Sequence, residues 1–363
     1  MKTISLFSGC GGMDIGAKAA GANVVFANDS MLEACNSLKK YFKNTDVIHK
    51  SIVDIKSFPD ADLVIGGYPC QSFSMGGKRN PTLDSRTYLY QEFARCLKEV
   101  NPKFFMAENV DGLGSLQKGK FLNDQLKEFN NIGKYGYRIT AKKIDVKEYG
   151  IPQGRKRFII IGVRKDLGYV YQFPKPTHGK ATKKNPDLLP FTSHGEVIKD
   201  LPLWPTGEFY ERPHDPNGHW AWYYMSRNRK RPWADPSFTI VANWRHVTLH
   251  PAGPTMKLIW SNLEDGWKQK WDFSDNYEHI SADPTRPKLE EPRRLSWREC
   301  ALIQTFPKDF EPVGSVESKF TQIGNAFPPQ MAEILLKRIT TGEGLFELFP
   351  DVPTEKNQYL LWD

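Results

Sequence analysis

The sequence predicts an α/β protein built on a doubly wound, mostly parallel sheet, with a smaller, mainly irregular and partly β domain inserted into it. Three observations carry this prediction. Short apolar runs alternate with amphipathic stretches over about the first 165 residues, the runs are continuously apolar, and the composition changes near Phe173. Continuously apolar strands are buried on both faces, which is what a parallel sheet covered by helices requires.

Taken in order, the runs at residues 4–7, 24–27, 63–65, 104–107 and 158–163 read as strands. The stretches near 13–20, 30–42, 86–100 and 119–131 read as helices. From about 173 to 292 prolines are frequent, helical periodicity fades, and seven of the eight histidines and eight of the ten tryptophans are found. A helix resumes over 296–306, with Ser296 as N-cap and Glu299 three residues on. Pro328-Pro329 opens a last helix over 330–339. The expected organisation is a first domain over 1–170, an inserted domain over 171–290, a segment over 291–345 returning to the first domain, and a tail over 346–363.

Composition narrows the class. With 363 residues, 39% of them hydrophobic, the chain can bury a substantial core. Fifty basic residues against 42 acidic ones give a net charge of +8, which suits a polyanionic partner. The five cysteines, at 10, 35, 70, 96 and 300, form no Cys-x-x-Cys pair, so free thiols in a reducing compartment are expected. The apolar start of the chain is too short for a signal peptide, and nothing approaches the length of a membrane span. A soluble cytoplasmic protein is the expectation.

The first strand runs into Ser8-Gly9-Cys10-Gly11-Gly12 and then a helix. Gly9, Gly11 and Gly12 would let the backbone approach a ligand and aim helix N–H groups at it. A glycine cluster after a strand is also a common tight turn, but the second strand ends at Asn28-Asp29. An acid about 20 residues past the glycines is placed to accept both ribose hydroxyls. Asp54 could take an adenine amino group and Ile55 could flank the ring, although both acids would also suit a solvated strand end. The spacing is G-x-G-G, so an adenosine ligand without a pyrophosphate fits better than a nicotinamide dinucleotide.

At the other end of the candidate site, Tyr68-Pro69-Cys70-Gln71 follows one apolar run and Glu108-Asn109-Val110 ends another. Cys70 would sit where a strand gives way to a loop above the sheet. Glu108, in a partly apolar pocket, could donate a proton. Arg155 and Arg157, in Gln153-Gly154-Arg155-Lys156-Arg157, stand at i and i+2 and would point to one face. Singly, each has a plainer reading: a buried small hydrophobe, a turn cap, a solvated basic pair. Their occurrence in this order, at strand ends, points to a site.

These blocks resemble the DNA (cytosine-5)-methyltransferase family. The resemblance rests on Phe7-Ser8-Gly9-Cys10-Gly11-Gly12, Gly67-Tyr68-Pro69-Cys70-Gln71-Ser72-Phe73-Ser74, Glu108-Asn109-Val110, Gln153-Gly154-Arg155-Lys156-Arg157, Arg294-Leu295-Ser296-Trp297-Arg298-Glu299 and Gln322-Ile323-Gly324-Asn325-Ala326. It covers nearly the whole chain outside 170–290. Thr87, Trp297 and Phe327 depart from residues common in the family and bear on loop hinge and packing.

The resemblance implies a Rossmann-like fold dependent on S-adenosylmethionine, with Phe7, Asp29, Asp54 and Asn325 at cofactor-contacting positions. It implies that Cys70 adds to cytosine C6 while Glu108 protonates or hydrogen-bonds N3, and that Arg157, with Arg155, holds O2. C5 then takes the methyl group of a base flipped out of the duplex. Gln71, Ser74, Lys78, Arg79, Arg86 and Gln153 are expected to contact substrate, the segment 74–86 resembling a mobile loop that closes over the base. The inserted domain corresponds to a target recognition region, where Arg227, Arg229, Arg231 and Arg245 are candidates to meet duplex DNA. His246 and His250 have zinc-like spacing without a second half-site, so no metal is expected. The resemblance further implies a monomeric prokaryotic or phage enzyme, nucleoid-associated, paired functionally with a cognate restriction endonuclease. The rivals are an RNA cytosine-C5 methyltransferase, a DNA-binding protein without catalysis, and, more distantly, a Rossmann oxidoreductase.

Overall fold

The computed structural model describes residues 1–69, 89–110, 120–183, 185–208, 220–262, 268–274, 287–347 and 359–362. The expectations for Cys70, Gln71, Ser74, Lys78, Arg79 and Arg86, and for Thr87, lie outside the described residues. The chain divides into two compact units: residues 1–146, 156–176 and 326–363 in one, and 147–155 and 177–325 in the other. Residues 291–325 thus cluster with the inserted unit, and the chain returns to the first only at Ala326.

The first unit is the doubly wound sheet. Its strands are β1 (Lys2–Leu6), β2 (Asn23–Asp29), β3 (Asp46–His49), β4 (Leu63–Gly66), β5 (Phe104–Val110), β6 (Tyr137–Asp145), β7 (Lys156–Arg164) and β12 (Tyr359–Trp362). They lie in the order β12-β6-β7-β5-β4-β1-β2-β3. Pairing is parallel from β3 across to β5, antiparallel on both sides of β7, and parallel again between β6 and β12. A separate pair joins β8 (Tyr169–Tyr171) to β11 (Leu345–Glu347). The helices are α1 (Gly12–Ala19), α2 (Leu32–Tyr41), α3 (Leu89–Val100), α4 (Lys120–Asn131) and α8 (Pro329–Thr340).

The core explains why these segments are strands. Ile159, Ile160 and Ile161 are fully buried, as β-branched residues in a strand covered on both faces should be. Phe93, Phe105, Phe129 and Tyr137 interlock between helices and sheet, with ring centroids 5.1 Å apart for Phe105–Tyr137 and 5.3 Å for Phe105–Phe129. Strand order reverses around β1, whose two neighbours are β2 and β4. A crevice for a ligand is expected above the carboxyl ends at such a switch point.

The second unit has little regular structure. It holds α5 (His194–Ile198), the ribbon β9 (Met256–Asn262) and β10 (Lys268–Phe273), α6 (Trp297–Ile303) and α7 (Val316–Asn325). Polar contacts hold it together. Ser296 and Glu299 form the expected capping box, and Glu299 also takes a two-point ion pair from buried Arg293, at 2.7 and 2.9 Å. His250 is equally enclosed, its Nδ1 accepting from the Ala252 N–H and its Nε2 3.4 Å from Glu299; burial pushes its pKa down to about 3. Among the described residues, no helix is long and apolar enough to cross a membrane, and no group of three or more potential ligands could hold a metal ion.

Gly162 of β7 gives the aromatic core its room, since a Cβ there would lie 2.0 Å from Cε1 of Phe105. Gly162→Val is therefore expected to destabilise the protein by about 1–3 kcal/mol despite valine's preference for strands, read as a lowered urea midpoint.

Candidate active site

The turn after β1 is built by backbone conformations that suit glycine. Phe7, Gly9 and Gly11 have φ of 54°, 55° and 93°, so a bulky residue is held in the left-handed region just ahead of two glycines with positive φ. Such an arrangement persists when its surroundings over-determine it, and it concentrates at ligand sites. The glycines differ in what they face. A Cβ on Gly9 would meet nothing within 4 Å, whereas one on Gly11 would lie 2.7 Å from Leu38 and one on Gly12 2.2 Å from the Phe327 carbonyl. Gly9 thus leaves open space, while Gly11 and Gly12 seat the turn against α2 and the entry to α8.

Asp29 closes the turn from β2. Its Oδ2 accepts the Gly9 N–H at 2.8 Å and its Oδ1 the Met31 N–H at 2.8 Å. A carboxylate has about four lone-pair sites, so both oxygens can still accept ribose hydroxyls. Burial raises its pKa, against the hydrogen bonds from Met31 and Gly9. Asp54 ends a 3-10 turn at Ile52–Asp54 and is exposed, while Ile55 is buried in the core cluster that also packs Phe7. An open glycine turn, an acid at its rim and an apolar wall together suit an adenosine ligand.

The second half of the site lies at the ends of β4 and β5. Glu108 is on β5, and its Oε1 pairs with Arg157 Nε of β7 at 2.6 Å. The antiparallel register brings them together by setting Val110 opposite Arg157. Gly67, just past β4, lets the Glu108 carboxylate lie close, since a Cβ there would be 2.8 Å from its Oε2 and 3.5 Å from Met13 Cε of α1. The turn's own helix, the acid and the segment leading to Cys70 therefore meet at one glycine. Asn109 donates to the Tyr68 carbonyl at 3.4 Å, and the Tyr68 hydroxyl to Gln125 at 2.7 Å, so the chain is held up to the point where Cys70 follows. Cys10, Cys35, Cys96 and Cys300 are buried. Burial pushes all four thiols up, Cys35 to about 11, which disfavours the reactive thiolate.

Several expected site residues make contacts with the protein itself. Arg155 precedes β7, is buried, and donates to the carbonyls of Ile240 and Gly324 at 3.1–3.2 Å. Gln153 is likewise buried, its amide spent on Gln304, Ile303 and the Ile240 N–H. Both brace the second unit. Asn325 is the last residue of α7, directly before Ala326. In the basic run, Arg227 and Arg231 are exposed but Arg229 is turned in, stacked on Tyr224 and donating to its carbonyl at 3.1 Å. Arg245 is exposed beside Trp244. Burial lowers the pKa of His246, and the positive charges of Arg229, Arg227, Arg294 and Arg245 lower it further. The sequence assigns no separate role to Gly67 or Met13, although the Gly66-Gly67 pair at a strand end is a signal for the first.

A sequence model of C-5 cytosine-specific DNA methylases matches residues 1–341. The chain is 36% identical over 375 residues to the Type II methyltransferase M.BspRI of Lysinibacillus sphaericus, covering 93% of this chain and 80% of that protein. It is 37% identical over 359 residues to the Type II methyltransferase M.MthTI of Methanothermobacter thermautotrophicus, covering 93% and 97%. Among solved structures, a Spodoptera frugiperda DNMT2 variant superposes with a TM-score of 0.60 at 18% identity, covering 93% of this chain and 98% of that one.

The Gly67 contact makes a test. Gly67→Ala should leave the fold intact, because the atom it displaces ends a flexible side chain. It should lower methyl-transfer turnover by about 100-fold, the cost of misplacing a reacting group by about 1 Å. Turnover with circular dichroism as the folding control would check this.

Proposed function

Because the chain belongs to the C-5 cytosine-specific DNA methylase family, whose reaction is methyl transfer to cytosine C5 of DNA, we propose that it is the modification enzyme of a Type II restriction-modification system, working through a covalent Cys70 intermediate. The observation that carries the mechanism is the Glu108 carboxylate lying across Gly67, at the head of the segment that leads to Cys70.

Cytosine C5 is too weak a nucleophile to accept a methyl group unaided. Addition of the Cys70 thiolate to C6, with Glu108 giving a proton or hydrogen bond to N3, places electron density on C5. Arg157, held on Glu108 at 2.6 Å, is a cation suited to hold the base's polar edge. S-adenosylmethionine supplies an electrophilic methyl group, and the residues suited to hold it are Phe7, Gly9, Asp29, Asp54 and Ile55. After transfer a base removes the C5 proton and the C6–sulfur bond breaks, restoring Cys70. The base must leave the stack for any of this to occur. Arg227, Arg231 and Arg245 are the exposed cations of the second unit suited to meet duplex DNA.

Labelled-methyl transfer into duplex DNA and into RNA tests the reading. We expect incorporation into DNA, with Cys70→Ser binding cofactor and DNA near normally yet transferring almost no methyl. Preference for RNA, or near-normal turnover by Cys70→Ser, would overturn it.

A further inference from the structure

Asp14 lies in the first turn of α1, two residues past the glycine turn, and is fully buried. Among the described residues neither of its carboxyl oxygens makes a well-formed hydrogen bond, the Ser5 hydroxyl and its own backbone N–H lying close enough only to weigh against the burial. That is costly for a carboxylate and is seldom tolerated without a ligand or a function.

Among the described residues, no cation figures in the groups that bear on its ionisation. From β1 it faces Ser5, whose hydroxyl receives the Ser8 hydroxyl at 2.8 Å. From the turn and the end of β2 the titratable groups bearing on it are Cys10 and Asp29, and the negative charge of Asp29 opposes its ionisation. Helix α8, packed on α1 at Gly12 and Gly16, presents Pro329 and Ala332 there, and residues 326 and 327 lead into it. Burial accordingly raises the pKa of Asp14 to about 7. The mechanism above does not use this acid.

Resting on the cofactor reading above, we infer that Asp14 is a charge-sensing residue for the cofactor turn: it holds a proton while the turn is empty or holds a neutral thioether, and releases it when a sulfonium binds. S-adenosylmethionine and S-adenosylhomocysteine differ by one methyl group and one positive charge. In a poorly solvated pocket a nearby cation favours the carboxylate, so binding the sulfonium form lowers the Asp14 pKa and expels a proton to solvent. No covalent bond forms or breaks in this step. The neutral product lacks the charge, so after transfer Asp14 takes a proton back, which gives the turn a means of distinguishing spent from fresh cofactor.

The sign follows from linkage. A group whose pKa falls on binding makes that binding tighter as pH rises through its free value. For one proton and a free pKa near 7, affinity for S-adenosylmethionine should rise by about tenfold from pH 6 to pH 8, while affinity for S-adenosylhomocysteine stays level.

Isothermal titration of the full-length protein with each ligand, in buffers of different ionisation enthalpy, measures the proton directly. We expect release of about half a proton per S-adenosylmethionine near pH 7 and none with S-adenosylhomocysteine. Asp14→Asn, which keeps the shape and cannot ionise, should abolish the release while still binding both ligands. The wild-type comparison stands even if that variant fails to fold. Equal proton exchange for the two ligands, or release that survives in Asp14→Asn, would overturn the inference alone. Failure of the wild-type protein to bind either ligand would overturn the cofactor reading with it.

Discussion

The site depends on one missing side chain. Residue 67 stands where the carboxyl ends of β4 and β5 meet the first turn of α1, and a Cβ there would press on both Glu108 Oε2 and Met13. Because it is glycine, a carboxylate can rest against the backbone that leads to Cys70, next to the helix that opens at the glycine turn. The sheet supplies the rest. Strand order reverses at β1, so the ends of β1 and β4 border the switch point, and antiparallel β7 delivers Arg157 onto Glu108 from the strand adjacent to β5. The glycine turn and the Glu108–Arg157 pair are thus brought together by topology, with only short-range contacts left for side chains to refine.

Legibility in the sequence followed burial. The five strands read from their apolar runs are all present, as are the helices preceding residue 132, because both elements bury a face that composition betrays. β6 escaped notice because Arg138, Lys142 and Lys143 interrupt its apolar positions, and β3 because only Val47 of its four residues is buried and polar residues stand at both ends. Helix α7 was missed for a similar reason: Gln322 and Thr321 turn polar side chains onto the body of the second unit, bonding to Val313 and Ala242. The division at Ala326 was also hidden, since the contacts that tie 291–325 to the inserted unit are long-range pairs such as Gln304 with Gln153.

The arginines show most clearly where a motif misleads. Spacing of two implies a shared face only inside a strand, and Arg155 lies just outside β7. Its guanidinium instead satisfies buried carbonyls, a task suited to a planar fork of donors. Arg229 behaves alike on Tyr224, while its neighbours Arg227 and Arg231 remain exposed. A basic run therefore combines inward braces with outward cations, and charge alone cannot sort them.

The central claim is that Cys70, guided by Glu108, attacks the base covalently. Duplex DNA carrying 5-fluorocytosine at the target position tests it most directly, because fluorine cannot leave as the C5 proton does and the adduct is trapped. With S-adenosylmethionine present, the account predicts a one-to-one protein–DNA adduct stable to denaturation, located at Cys70 by mass spectrometry and lost in Cys70→Ser. Binding of the same DNA without any adduct, or an adduct on another residue, would contradict it.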